Sequence, residues 1–480
     1  MNELDVAVDR KQVVGGDDFA VGVKPPTQPP DRAADGEFVL ALDASASMTW
    51  PAQKGRDGGP TRWDLARKGA LGLVGLLEAT TKVHILLFAG TTRIVTAGTA
   101  GTVARELARL LPEQLSEDFT GTSIEAALVD SYQLLERSTA ISRRLIILSD
   151  GDATAGNQSP DHLAGLASRA MSKDLYTDPI GLGAEANVDL LLRLSGTGPC
   201  DHVASREEAD KVMIEVMGRL AQTGQQVAVS GGELRLEVSP FFSVLGVYQL
   251  RPACRAYPAQ IVKGNEGESV ITLQVGAIGP GEFSRPLFAL KLRAPAIGKV
   301  AEVPLVRASA TLRSRRGAIS CSGQEQKVSV LPGPLPAGAT RPPYSAELLD
   351  QIRTVDLEAE TAERLRTAPD GRYQEIYSAA KDEAASAGLY SLAGQYSDAI
   401  KALGAGLEPN DVRNEQRATS SRRATSPVMG LRERPVLPPS ERLRPPSLNP
   451  VFSEDEWTDD PPDGRSGDGD QPKTDYGDAW

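Results

Sequence analysis

The chain opens with two short alternating runs, LDVAV and DFAVGV within residues 3–23, split by the turn-like GGDD. Alternation of apolar and polar positions at period two, bounded by Gly and Asp, predicts strands. PPTQPPDRAADG follows as a linker. From Phe38 the pattern changes. The apolar runs FVLALD (38–43), KVHILLF (82–88), RRLIILSD (143–150) and LYTDPIGLG (175–183) predict buried strands, and CDHVA (200–204) a further short one. Between them apolar residues recur at helical spacing over 63–79, 103–115, 123–137, 162–174, 187–196 and 206–222. Strands and helices alternating at this length predict an α/β domain over 35–224, a doubly wound and mostly parallel sheet with helices on both faces.

After Thr223 the helical spacing stops. QVAVSGGELRLEVSP, VLGVYQL, ESVITLQVG, SRPLFALKLRA and KVAEVPLVRASATL alternate apolar and polar residues between turn signals. An antiparallel β-sandwich over 225–335 follows from that pattern. Helical spacing returns over 343–407. From residue 408 to 480 the chain is first rich in Arg, Pro, Ser and Thr, then acidic. Such a segment has little apolar surface to offset the entropy of ordering, and disorder is predicted there.

Composition narrows the function classes. A formal net charge of −12 argues against a nucleic-acid partner, because phosphate binding needs a basic face. The three cysteines, Cys200, Cys254 and Cys321, are odd in number and far apart, so neither a disulfide framework nor a zinc knuckle is implied. The longest apolar stretch, Leu71–Phe88, is broken by Glu78, Thr80, Thr81 and Lys82, and no run approaches the ~18–20 apolar residues of a membrane span. The first residues, MNELDVAVDRKQ, carry neither a basic region nor an apolar one of the secretory kind. A cytoplasmic protein without membrane insertion is the resulting expectation.

The candidate chemistry lies at the ends of the predicted parallel strands. Asp43-Ala-Ser45-Ala-Ser47 directly follows the first strand; Thr120-Gly-Thr122-Ser-Ile-Glu-Ala-Ala-Leu128 opens a helix; Leu148-Ser-Asp150-Gly151 ends another strand. Open α/β sheets place ligands beyond the carboxyl ends of their strands. Ser45, Ser47 and Thr122 offer neutral hydroxyls and Asp43 and Asp150 offer charge, at least one of them through water. This donor set suits Mg²⁺, a hard cation that takes an oxygen octahedron and retains waters. With few anionic contacts the ion keeps an open position, which an Asp or Glu of another protein can complete. Trp50, Thr120 and Asp152 flank the motif as candidate partner contacts, an aromatic beside an open metal position being a good partner contact. Lys54 and Arg56 lie in the adjoining Gly-rich loop. His84, His162 and His202 stand at no metal-like sequence spacing from a Cys or Glu. There is no nucleophile elbow, phosphate loop or paired acid and base, so the chain is expected not to be an enzyme.

These residues resemble the metal-ion-dependent adhesion site of the von Willebrand factor A family, in its DxSxS, T and D form. The resemblance covers about 35–224. Ala46 stands where the family usually has a glycine between the two serines, a position that supplies no ligand atom. The resemblance implies Mg²⁺ (or Mn²⁺ or Ca²⁺) held by Asp43, Ser45, Ser47, Thr122 and Asp150. It also implies that the strands of 1–34 join the sandwich that follows, so that the α/β domain is inserted into it. Intracellular proteins of this kind act as scaffolds in signalling or stress systems beside a Ser/Thr kinase, a phosphatase or an AAA+ ATPase. The other readings are a surface adhesion or channel-associated protein and a subunit of a chelatase or MoxR-type AAA+ complex. In the tail, Arg422 and Arg423 precede Thr425 as a basic-directed Ser/Thr kinase requires, and Thr458 sits in an acidic stretch, so both are candidate phosphorylation sites.

Overall fold

The computed structural model describes residues 3–26, 36–52, 59–115, 120–196, 198–203, 209–279, 285–314, 317–332, 347–368, 371–407 and residues 409, 412, 413 and 416. Lys54, Arg56, Thr425, Thr458 and nearly all of 408–480 lie outside the described residues. In chain order the first strands are β1 (Asp5–Val8), β2 (Gln12–Val14) and β3 (Asp18–Lys24). The α/β domain follows as β4 (Gly36–Asp43), α1 (Arg62–Leu76), β5 (Lys82–Phe88), β6 (Thr92–Thr99), α2 (Ala100–Leu110), α3 (Ile124–Glu136), β7 (Ser142–Ser149), α4 (Pro160–Met171), β8 (Leu175–Leu182), α5 (Val188–Leu194), β9 (Asp201–Val203) and α6 (Ala209–Gln225).

Its six strands run in the order β6-β5-β4-β7-β8-β9. All neighbours are parallel except β5 and the edge strand β6. Every residue of β4, β8 and all but one of β7 is buried, as a central parallel strand covered on both faces requires. Successive side chains of β4 point to opposite faces. Phe38, Leu40 and Leu42 join α1, α2 and α6 in one core, while Val39 and Ala41 join α3, α4 and α5 in the other. Two features depart from the sequence pattern. β6 is a half-exposed, Thr-rich edge strand with no clean apolar alternation. α2 starts at Ala100 and stops at Leu110 rather than spanning 103–115, because Pro112 forces Leu111 into an extended conformation.

The second part comprises β10 (Gly231–Val238), β11 (Ser243–Arg251), β12 (Arg255–Ala256), β13 (Gln260–Lys263), β14 (Ser269–Val275), β15 (Leu287–Arg293), β16 (Ala301–Ser314), β17 (Gly317–Ser322) and β18 (Gln326–Leu331). Two sheets form: β1-β3-β15-β11-β12, and β13-β14-β10-β16-β18-β2 with β17 beside β16. All pairs are antiparallel apart from β18 with β2. Phe19, Val21, Phe288 and Leu290 of the first sheet share a core with Leu234, Leu236, Ile271 and Leu312 of the second. β3 lies between β1 and β15, so strands that precede the α/β domain complete sheets whose other strands follow it.

Three helices close the described chain: α7 (Glu347–Thr367), α8 (Tyr373–Ser386) and α9 (Tyr390–Gly404). Leu349, Ile352 and Val355 of α7 cover the outer face of the first sheet at Ala20, Leu250 and Ala289. Gly388, at φ +79°, separates α8 from α9; glycine tolerates this left-handed conformation, which commonly ends helices. The α/β domain meets the two sheets through Arg313 of β16, which donates to both Asp174 oxygens at 2.7 and 2.5 Å. Arg255 of β12 adds longer bonds to the Leu192 carbonyl at 3.3 Å and to Ser195 Oγ at 3.4 Å. Among the described residues no helix is long and apolar enough to cross a membrane.

Candidate metal centre

β4 and β7 are neighbours in register from Gly36–Ser142 to Leu42–Leu148. Their carboxyl ends therefore bring Asp43 beside Ser149, whose hydroxyl donates to Asp43 Oδ2 at 2.6 Å. The other Asp43 oxygen accepts the Ser45 amide at 2.9 Å. Ser45 then begins a single 3-10 turn, Ala46–Thr49, and this curl sets the Ser45 and Ser47 hydroxyls 3.1 Å apart. Asp150, one residue past β7, has one oxygen bound and one free. Oδ2 accepts Arg62 Nη1 at 2.8 Å, whereas Oδ1 is buried without a partner.

Thr122 arrives from a separate loop, fixed by backbone bonds. Ala44 N donates to Phe88 O at 2.7 Å, Gly90 N to Thr120 O at 3.0 Å and Ser123 N to Ala89 O at 2.6 Å. Thr122 O accepts from Thr154 N and Ala155 N, and Thr122 N donates to Thr154 Oγ1 at 2.9 Å. The loops after β4 and β7 and the loop before α3 thus form one cluster at the carboxyl end of the sheet. Gly90 is required by close approach, since a Cβ there would stand 2.8 Å from the Thr120 carbonyl oxygen. Asp43, Ser45, Thr122 and Asp150 are all less than 4% exposed, and Ser47 is half-buried.

Burial and the neighbouring Asp150 carboxylate push the Asp43 carboxyl up to about 7, against the hydrogen bonds from Ser149 and Ser45. Two carboxylates held close in a dry site, one with an unpartnered oxygen, have a use for a cation. Hydroxyls at Ser45, Ser47 and Thr122 are neutral hard donors of the kind Mg²⁺ accepts. Among the described residues no group of three or more His, Cys, Asp or Glu side chains is arranged to hold a metal. The two carboxylates and the hydroxyls of Ser45, Ser47 and Thr122 are oxygen donors of the type a hard divalent cation takes.

The flanking residues divide. Trp50 is 55% exposed, and the Arg62 guanidinium lies 5.5 Å from its ring centroid. Thr120 and Asp152 are exposed. Thr120 serves the loop through its carbonyl, and Asp152 Oδ1 accepts Asn187 Nδ2 at 3.3 Å. Sequence spacing missed Ser149, Asn187, whose amide donates to Asp150 O at 2.7 Å, and above all Arg62. A signal for Arg62 was available: a cation in the first turn of a helix opposes the helix dipole, so a fixed anion is needed nearby. Two histidines also find glutamates that sequence distance hid, His84 Nε2 with Glu37 Oε1 and His162 Nε2 with Glu125 Oε1, each at 2.8 Å.

Comparison with known proteins agrees with this architecture. Residues 38–153 match the model of the von Willebrand factor type A domain. The von Willebrand factor type A protein from Catenulispora acidiphila superposes with a TM-score of 0.62 at 14% identity, covering 82% of this chain and 89% of that one. The ArnB paralog VWA2 from Sulfolobus acidocaldarius superposes with a TM-score of 0.51 at 13% identity, covering 88% of this chain and 99% of that one. No curated protein matches the chain. The fold is thus a von Willebrand factor A-like α/β domain joined to further antiparallel sheets and a helical segment.

Proposed function

We propose that the chain is a metal-dependent protein-binding scaffold, not a catalyst, acting in a cytoplasmic signalling or stress system. Asp43, Ser45, Ser47, Thr122 and Asp150 hold Mg²⁺, with Mn²⁺ or Ca²⁺ as substitutes. The observation that carries the reading is the buried, unpartnered Oδ1 of Asp150 within a cluster of hydroxyls and a second carboxylate. Domains of the matched type commonly mediate protein–protein interaction or adhesion, which supports a binding role. Bound there, the ion supplies a positive position that an Asp or Glu of a partner completes through a short charge-assisted contact. Trp50, exposed beside it, supplies apolar contact area. The partner class is a Ser/Thr kinase, a phosphatase or an AAA+ ATPase, with Thr425 and Thr458 as modification sites in the tail.

The test is calorimetric titration of the full chain with Mg²⁺ and Mn²⁺, alongside pull-downs with and without EDTA. Asp43 is fully buried and accepts two hydrogen bonds, so Asp43→Asn is a gentler variant than Ala. Asp43→Asn and Thr122→Ala should lose at least about tenfold in metal affinity, since even outer-shell partners of a metal's ligands are typically worth about 10–100-fold. Equal affinity in both variants, or a partner indifferent to EDTA and to Asp150→Ala, sinks the proposal.

A further inference from the structure

Arg62 is the first residue of α1 and only 4% exposed. Its Nη1 donates to Asp150 Oδ2 at 2.8 Å and its Nη2 to Glu185 Oε2 at 3.0 Å. The side chain is held in a cradle. Gly183, at φ +89°, lies so close that a Cβ there would meet Arg62 Nε at 2.6 Å and Cγ at 3.3 Å. Trp50 faces the guanidinium on another side. A cation at the amino end of a helix opposes the dipole, and a buried charge is tolerated only when it is paired. Asp150 and Glu185 meet that need, and Asp150 does so with one oxygen only.

We infer that Arg62 is a resident counter-cation of the metal centre, a positioning residue that occupies one oxygen of Asp150 and leaves the other for the ion. The inference rests on the metal reading above. Two consequences follow from a fixed positive charge on the same carboxylate. Asp43 and Asp150 stay together without a divalent ion, because one of the two charges is already neutralised. A divalent ion binds against the charge of Arg62, so its affinity is held down and its exchange is easy. Arg62 and the ion are thus electrostatic substitutes. A purely structural clamp behaves in the opposite way, since loosening Asp150 then weakens metal binding.

The experiment is metal titration by calorimetry on the full chain, with Mg²⁺ and Mn²⁺ as probes, and thermal melts in EDTA and in saturating Mn²⁺. Arg62→Met should bind Mn²⁺ at least about tenfold more tightly than the wild type, the effect expected for removing a like charge a few ångström away even with strong solvent screening. Its melting temperature should fall in EDTA and rise more on adding Mn²⁺ than that of the wild type, because tighter binding gives a larger shift. Arg62→Lys, which keeps the charge, should bind like the wild type. Unchanged or weaker binding in Arg62→Met overturns the inference and leaves the metal reading standing. Absence of metal binding in both the wild type and Arg62→Met overturns both. Should Arg62→Met fail to fold, Glu185→Gln decides: it leaves Arg62 wholly on Asp150, so Mn²⁺ affinity should fall several-fold, and unchanged or tighter binding overturns the inference.

Discussion

Phe19 gives the sharpest test of the discontinuous architecture. It lies before the linker that leads to the α/β domain, in a segment that would be a free tail if the sheets were built only from residues after 225. Its side chain is fully buried and meets Phe242 edge-on, with centroids 5.7 Å apart at 73°. Its strand pairs with β15 along Asp18–Val23. Phe19→Ala removes a large buried ring from a core that cannot close over the gap, a loss of about 3–5 kcal/mol. With a urea slope of ~2 kcal/mol/M, that moves the unfolding midpoint by about 1.5–2.5 M. Of the four tryptophans, Trp50, Trp63, Trp457 and Trp480, Trp50 and Trp63 belong to the α/β domain, and no described strand of the two antiparallel sheets carries one. Buried Trp63 therefore reports the α/β domain, and far-UV dichroism reports both parts. The dichroism transition should move to lower urea by that amount, and the fluorescence transition should move less. A shift of under ~0.5 kcal/mol, the size of an ordinary surface substitution, would refute the placement of β3 in the core.

Three further outcomes follow from particular positions. Gly151→Ala should cost about 2–5 kcal/mol, from a left-handed φ of +79° and a Cβ that would stand 3.0 Å from Asn187 O and 3.1 Å from Leu191 Cγ; a thermal melt within a degree of the wild type removes the argument. Gly72→Ala, with open space around its Cβ in the middle of α1, should stabilise by about 0.5–1 kcal/mol, and a lower melting temperature would count against it. Asp9 is 6% exposed, and burial pushes its carboxyl from 3.8 up to about 6, against the attraction of Arg10 and Arg353. Because the folded value is raised, the stability this group contributes is complete below pH 3.8 and is lost as pH rises to about 6. Asp9→Asn should therefore gain on the wild type across that window, by up to about 3 kcal/mol at pH 7; a difference constant from pH 4 to pH 8 argues against the titration.

The parts of the fold legible in the sequence are those whose burial is uniform. β4, β5, β7 and β8 announce themselves as apolar runs because both faces of each are covered. β6 does not, since an edge strand half open to water needs no clean alternation. β2 has three residues and pairs parallel with β18, more than 300 positions away, so no local pattern records it. The break between α8 and α9 rests on Gly388 alone. At the site, Asp43, Ser45 and Ser47 are legible because one tight turn fixes them together. Arg62 is not, because Asp150 lies 88 positions away and Glu185 lies 123 away. Only folding brings the β8–α5 turn over the start of α1.

The α/β domain joins the antiparallel sheets through contacts at particular places in its fold. The domain's two ends lie together: a Cβ on Gly36 would stand 3.4 Å from the Gly224 carbonyl oxygen. Asp174, bound by Arg313, directly precedes β8, so this contact is at the amino end of the parallel sheet. Arg255 holds the carboxyl end of α5, and α5 returns from its Asn187 cap beside Asp150 toward that same end. Asp43, Ser45, Ser47, Thr122 and Asp150 stand at the opposite end of the parallel sheet from the Arg313–Asp174 contact, a central strand such as β4 with its eight residues spanning roughly 26 Å. The same helix thus touches Asp150 through its cap at one end and meets Arg255 through its last turn at the other. An occupant of the loop face that displaced α5 would therefore move the Arg255 contacts with it.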